Sequence, residues 1–101
     1  MSRAEDLAPL GVLEEQVLVA VLRTQREAYG MNVRREIERV TGRDLAIGAV
    51  YATLDRLEAK KLLTSRRCFA LTSAGTRALA ETYAMRERLW QGIDPRRLRF
   101  V

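Results

Sequence analysis

Two helical repeats with almost nothing between them occupy the middle of the chain. In YGMNVRREIERVTG, Val33, Ile37 and Val40 recur at i, i+4 and i+7, Arg34, Arg35, Glu36, Glu38 and Arg39 take the other faces, and Gly42 supplies a C-terminal cap. In IGAVYATLDRLEAK, from about Ile47 to Lys60, Val50, Leu54 and Leu57 form a second apolar stripe. Only GRDLA joins the two. Helices of this length on so short a connection are the pattern of a helix-turn-helix.

The flanking segments supply what such a pair must pack against. LGVLEEQVLVAVLRTQ is apolar nearly all round, with Glu14, Glu15 and Gln16 as its one wet face, so it is expected to be a central helix touched from several sides. After the second repeat, LLTS and RRCFALT alternate in the manner of two short strands, with Arg67, Phe69 and Leu71 sharing a side. Ser65-Arg66 is poor chemistry for a two-residue hairpin turn, which favours glycine or asparagine at positive φ. A last helix follows Thr72 or Ser73 as N-cap and runs to about Gln91. Its apolar residues, among them Leu79, Tyr83, Met85, Leu89 and Trp90, cover nearly half its circumference, more than one small domain needs. The tail breaks at Gly92 and Pro95 and is rich in arginine, with Leu98, Phe100 and Val101 available to dock.

The fold class expected is therefore mainly α with a small β-hairpin. A length of 101 residues supports one compact unit with a modest core, to which a second subunit would add cover.

Eighteen Lys and Arg against 13 Asp and Glu give a net charge of +5, and the isoelectric point is near 10.1, a balance that favours a polyanionic partner. Without histidine and with Cys68 as the single cysteine, no intramolecular disulfide is available, and a zinc site would have to be built from carboxylates alone; no metal or cofactor is expected. Enzyme activity lacks a nucleophile and base, a glycine-rich phosphate loop or paired carboxylates. The longest apolar run, Val17 to Leu22, is far short of the roughly 20 residues that span a bilayer, and the N-terminus lacks a signal peptide's apolar core. A cytoplasmic protein with no membrane partner is expected.

At about 100° per residue, Ala49, Thr53, Arg56 and Lys60 fall on one stripe of the third helix, about a quarter turn from the core stripe. Small residues at Gly48 and Ala49 let the helix start approach a phosphate or groove floor, where its partial positive charge favours an anion. Thr53 is then in reach of a base edge, and Arg56 and Lys60 of phosphates. Tyr51 lies on the other flank, and Arg66 and Arg67 stand on the hairpin. Each residue also has a plainer role: a solvated face for Arg56 and Lys60, close packing on the second helix for Gly48, a core edge for Tyr51.

LGVLEEQVL, YGMNVRREIE, IGAVYATLDRLEAKKLL and FALTSAGTRAL, in that order and over nearly the whole chain, resemble the PadR family of bacterial transcriptional regulators. The resemblance implies a winged helix-turn-helix over residues 1–72 and, over residues 73–101, a dimerisation helix with a basic tail. It further implies a homodimeric repressor on palindromic double-stranded DNA, with Gly48, Ala49, Tyr51 and Thr53 at the DNA-facing helix start. Leu10, Leu13, Leu79, Tyr83, Met85, Leu89 and Trp90 are candidates for the dimer interface. Members of the family release DNA on binding a small aromatic or apolar effector, for which Tyr83, Met85 and Trp90 could line a pocket, although dimer packing is the simpler role for them. Two departures stand out: Lys61 where the family has glycine after the recognition helix, and a wing in which LLTS meets RRCF with no extra residues. A winged-helix module that binds another protein is the alternative, and a salt-dependent affinity for DNA separates the two.

Overall fold

The computed structural model describes residues 10–98; the polar lead and the expected docking of Phe100 and Val101 lie outside the described residues. Four helices and one hairpin follow in the order α1 (Val12–Thr24), a 3-10 turn (Gln25–Glu27), α2 (Gly30–Thr41), α3 (Ile47–Ala59), β1 (Leu63–Ser65), β2 (Phe69–Leu71), α4 (Ser73–Trp90) and a final 3-10 turn (Pro95–Arg97). This is the mainly helical winged helix-turn-helix that the sequence predicts.

The core forms where α1, α2 and α3 meet. Val17, Leu18, Ala20 and Val21 of α1 are buried against Val33 and Ile37 of α2, Val50, Leu54 and Leu57 of α3, and Leu63 of β1. Full burial of each larger side chain contributes about 1.5–3 kcal/mol. As its nearly encircling apolar pattern predicts, α1 touches α2, α3, β2 and α4. Its wet face is another matter. Glu14 is 8% exposed, whereas Val12 and Leu22 stand 70% and 49% in solvent. Glu14 Oε1 accepts the Gly11 N–H at 2.9 Å and so closes the open start of α1.

The turn between α2 and α3 is held through both backbone groups of one residue. Gly42 takes the left-handed conformation (φ 73°) and ends α2. Beyond it, buried Leu45 donates its N–H to Glu38 Oε2 (2.9 Å) and accepts from Arg34 Nε at its carbonyl (2.8 Å), while Arg34 and Glu38 pair with each other at 3.3 Å. Those charged residues of α2 thus form a frame that fixes where α3 begins.

The end of α3 shows what Lys61 does in place of the family's glycine. Lys61 takes φ 63° although it carries a side chain, so the left-handed cap forms without glycine. Leu62 N–H bonds to Leu57 O and Lys61 N–H to Glu58 O, both at 2.9 Å, which is the Schellman pattern. The strain is carried because Leu62 is needed beyond it: its carbonyl accepts the Thr72 N–H at 3.1 Å, and Thr72 Oγ1 donates to Lys61 O at 2.7 Å.

The wing also differs from its sequence reading. Leu63 pairs with Leu71, Thr64 with Ala70 and Ser65 with Phe69, so the tip is the three residues Arg66, Arg67 and Cys68, none of them at positive φ. Arg67 therefore belongs to the tip, while Phe69 and Leu71 share the partly buried side of β2. Phe69 N–H donates to Ala28 O (2.9 Å), which ties the wing to the segment after α1, and Ser65 Oγ donates to Glu58 Oε2 (2.7 Å), which ties it to α3.

Thr72 caps α4 by accepting the Gly75 N–H at 3.0 Å. Gly75 has to be glycine, because a Cβ there would lie 2.0 Å from Leu62 O. Further on, Thr82 is buried and accepts the Leu10 N–H, and Arg86 pairs with Glu15 of α1. Past Arg86, α4 runs on as an arm with Leu89 75% exposed.

A left-handed conformation costs a non-glycine residue about 1–2 kcal/mol. Lys61→Gly, which keeps the backbone and its bonds, should raise stability by about 1 kcal/mol once the extra unfolded-chain entropy of glycine is subtracted. Urea melts of the two proteins measure this; an unchanged or lower midpoint would mean that the lysine side chain compensates for the strain.

Candidate nucleic-acid interface

Packing fixes the rotation of α3. With Val50, Leu54 and Leu57 fully buried, the residues on the opposite side are Gly48, Ala52, Asp55 and Ala59, all exposed and within about 60° of one another at 100° per residue. The sequence stripe of Ala49, Thr53, Arg56 and Lys60 is instead the flank that turns toward α1. Thr53 is 1% exposed and its hydroxyl donates to Ala49 O at 2.8 Å, so it satisfies itself on its own helix and reaches no base edge; the role expected for it is corrected here.

Arg56 and Lys60 are half exposed, but both are engaged. Lys60 Nζ lies 2.8 Å and Arg56 Nε 3.4 Å from Glu14 Oε2, and Arg56 also donates to Thr53 Oγ1 at 3.3 Å. Burial raises the Glu14 pKa, but the hydrogen bond from Lys60, the Gly11 amide, the Lys60 charge and the Arg56 hydrogen bond together outweigh it and leave the carboxyl below its ordinary value. The cluster is a bracket between α1 and α3, and its cations stand at the edge of the exposed face.

Gly48 meets nothing: a Cβ placed on it would find no atom within 4 Å, which excludes packing on α2 as the reason for the glycine. Ala49 is likewise exposed, and no side chain caps the start of α3. Tyr51, on the far flank, is 45% exposed, and its ring lies so close over the start of α2 that a Cβ on Gly30 would fall 2.4 Å from Cε1. Beside this face the wing tip carries Arg66 and Arg67, both exposed and without a carboxylate partner among the described residues. The surface is thus a bare helix face bordered by an aromatic ring, two bracketed cations and two unengaged ones. It suits a partner with a negative outline and a recess deep enough for a helix.

A second surface lies on α1 and α4. Leu10, Leu13 and Leu79 pack partly buried on this chain's own core, so the uncovered apolar side chains are Val12, Val19 and Leu22 of α1 with Tyr83, Met85, Leu89 and Trp90 of α4. Tyr83 donates its hydroxyl to Glu87 (3.0 Å), which holds the phenol above its ordinary pKa, and its ring lies 5.7 Å from the Arg86 guanidinium carbon. Two residues along a helix, Met85 points about 200° away from Tyr83, so Tyr83, Met85 and Trp90 do not share a face and do not form one pocket within the chain. A cavity of about 260 Å³ is found instead between α1, α2 and α4, floored by Val19, Ala20, Ile37 and Val40 and rimmed by Glu15, Arg23, Glu36 and Arg86.

Residues 17–81, from the centre of α1 to the middle of α4, match the family model described as the transcriptional regulator PadR-like family. The chain belongs to that family. Among solved structures, the PadR-like fold described above is similar to one reported as the complex structure of hsRosR-S4, with a TM-score of 0.73 and 23% identity over 95% of this chain and 87% of that one. No curated protein matches the sequence significantly. As a PadR-like protein the chain is a transcriptional regulator, and no helix of its described residues is long and apolar enough to cross a membrane.

Because the Glu14 pKa is lowered on folding, the stability it contributes is fully present above about 4.5, its ordinary value, and is lost as pH falls through the lower folded value. Glu14→Gln should therefore be less stable than the native chain near neutrality, with the difference shrinking as the medium is acidified below 4.5. Denaturant midpoints at several pH values test this; a difference that stays constant with pH would show that shape, not charge, matters at this position.

Proposed function

We propose that this PadR-like protein is a homodimeric repressor that lays α3 of each subunit in the major groove of a palindromic operator. The observation that carries the reading is the open face of α3, where Gly48 has no neighbour within 4 Å at a helix start with no side-chain cap. Gly48 and Ala49 give the backbone room to approach, and Tyr51 offers its hydroxyl to a phosphate. Arg66 and Arg67 follow the sugar-phosphate backbone from the wing. Arg56 and Lys60 border the groove from their bracket on Glu14 and add to the field, while Thr53 acts only through the helix it stabilises.

In this reading residues 1–72 form the DNA-binding unit and residues 73–101 the dimerisation unit. The uncovered side chains of α1 and the α4 arm pack on a second copy, with Leu89 and Trp90 at the centre of the contact. Two-fold pairing gives the palindromic preference directly, since each half-site meets the same helix. A small apolar or aromatic effector fits the cavity floored by Val19 and Val40 better than a site built from Tyr83, Met85 and Trp90 of one chain.

Binding to duplexes selected from a random pool tests the reading. The native chain should enrich a motif with two-fold symmetry, and log affinity should fall steeply with log salt; Arg66→Ala and Arg67→Ala should each weaken all duplexes and flatten that slope by about one unit. No enriched motif and a flat salt dependence would reject it. For the dimer, Leu89→Arg should shift the mass seen by light scattering from two copies to one, and a native chain of one-copy mass would sink this part.

A further inference from the structure

Asp55 is the residue of α3 that neither the fold nor the basic character of the surface accounts for. It is exposed on the outward face, one turn from both Ala52 and Ala59, and among the described residues it has no hydrogen-bond or ion-pair partner. Its neighbours one turn away are Tyr51 and Ala52 on one side and Glu58 and Ala59 on the other, so no cation at helical spacing offsets it. Arg56 beside it on the chain is turned to Glu14 and Thr53. A carboxylate in the middle of a surface that meets phosphates weakens binding to any sequence, unless the bound duplex presents it with a donor.

Building on the major-groove reading above, we propose that Asp55 is a specificity-determining residue that selects a cytosine by accepting a hydrogen bond from its N4 amino group. Ionised carboxylate oxygens only accept. In the major groove the guanine edge offers only the acceptors N7 and O6, and thymine offers the acceptor O4 beside a methyl group; adenine sets its N6 donor beside the acceptor N7, a pattern suited to an amide side chain. Cytosine alone offers a donor that a carboxylate can take without facing an acceptor on the same base. Ala52 and Ala59, one turn to either side, are short enough to let Asp55 reach the groove floor first. Rejection is half of the device: at a wrong base the carboxylate is desolvated with nothing to bind, and phosphate repulsion is left unopposed, which lowers affinity for random duplex.

The test compares the native chain with Asp55→Ala and Asp55→Asn, all three checked for equal melting temperature, in the random-pool selection and against single-base variants of the selected duplex. The native motif should fix one C·G pair per half-site. Replacing that cytosine by thymine, which exchanges the amino donor for a carbonyl acceptor, should weaken native binding on the order of ten-fold and leave Asp55→Ala binding unaffected. Asp55→Ala should also bind random duplex more tightly, and Asp55→Asn should move the preferred base at that position toward adenine. A motif that is the same at every position for all three proteins overturns the assignment while leaving the regulator reading intact. Failure of the native chain to select any motif overturns both.

Discussion

The burial of one side of α3 against α1 decides what the rest of this protein can do. Val50, Leu54 and Leu57 leave no freedom in the rotation of the helix, and Thr53 extends the buried side because its hydroxyl bonds back to Ala49 O. Glu14 then secures the edge, since a carboxylate so nearly removed from water must keep its cations close. Lys60 and Arg56 are those cations, and they come from the helix that has to be held. The ionic cluster does not drive folding. It braces the edge of an apolar contact that already fixes the helix.

Around this contact the molecule spends its apolar surface unevenly. The inner side of α1 is covered by α2, α3, the wing and the lower half of α4, while Val12, Val19 and Leu22 remain on the outside. Past Arg86, α4 has little cover from the described residues, and Leu89 there is 75% exposed. A Cα radius of gyration of 14.7 Å, against about 13 Å for a compact chain of roughly this length, fits a body with a projecting arm. Such a distribution is economical only if a second molecule supplies the missing cover, as the proposed dimer does.

Much of this was legible in the residues themselves. The helices α2, α3 and α4 could be read because each has a period, a breaker or a cap: Val33 and Ile37 before Gly42, Val50 to Leu57, Thr72 ahead of Gly75. The surface was read less well, and for a physical reason. Glu14 looked like solvent-facing charge because its partners Arg56 and Lys60 are 42 and 46 residues away, beyond the reach of any periodicity. Thr53 looked available because a polar side chain that satisfies itself on its own helix carries no mark of it in the sequence. The cations Arg56 and Lys60 place the sequence-based stripe on the flank of α3 and not on its most exposed side. The outward face was recoverable all the same, since the side opposite Val50, Leu54 and Leu57 leads straight to Gly48, Ala52 and Asp55. At Lys61 the chain takes a conformation its residue type disfavours, because the backbone of Leu62 is committed to Leu57 and Thr72 on either side.

The joint between α4 and the turn after α3 bears on how a signal could cross the molecule. At Gly75 the helix backbone rests directly on Leu62 O, and Thr72 is bonded to both Lys61 and Leu62, so no flexible tether separates the arm from the root of the wing. Arm and wing root are effectively welded. In the proposed dimer, a few degrees of change in how two arms cross would swing each α3 and wing as a rigid body, and over the length of the molecule such a tilt would become a mismatch with the helical repeat of a bound duplex.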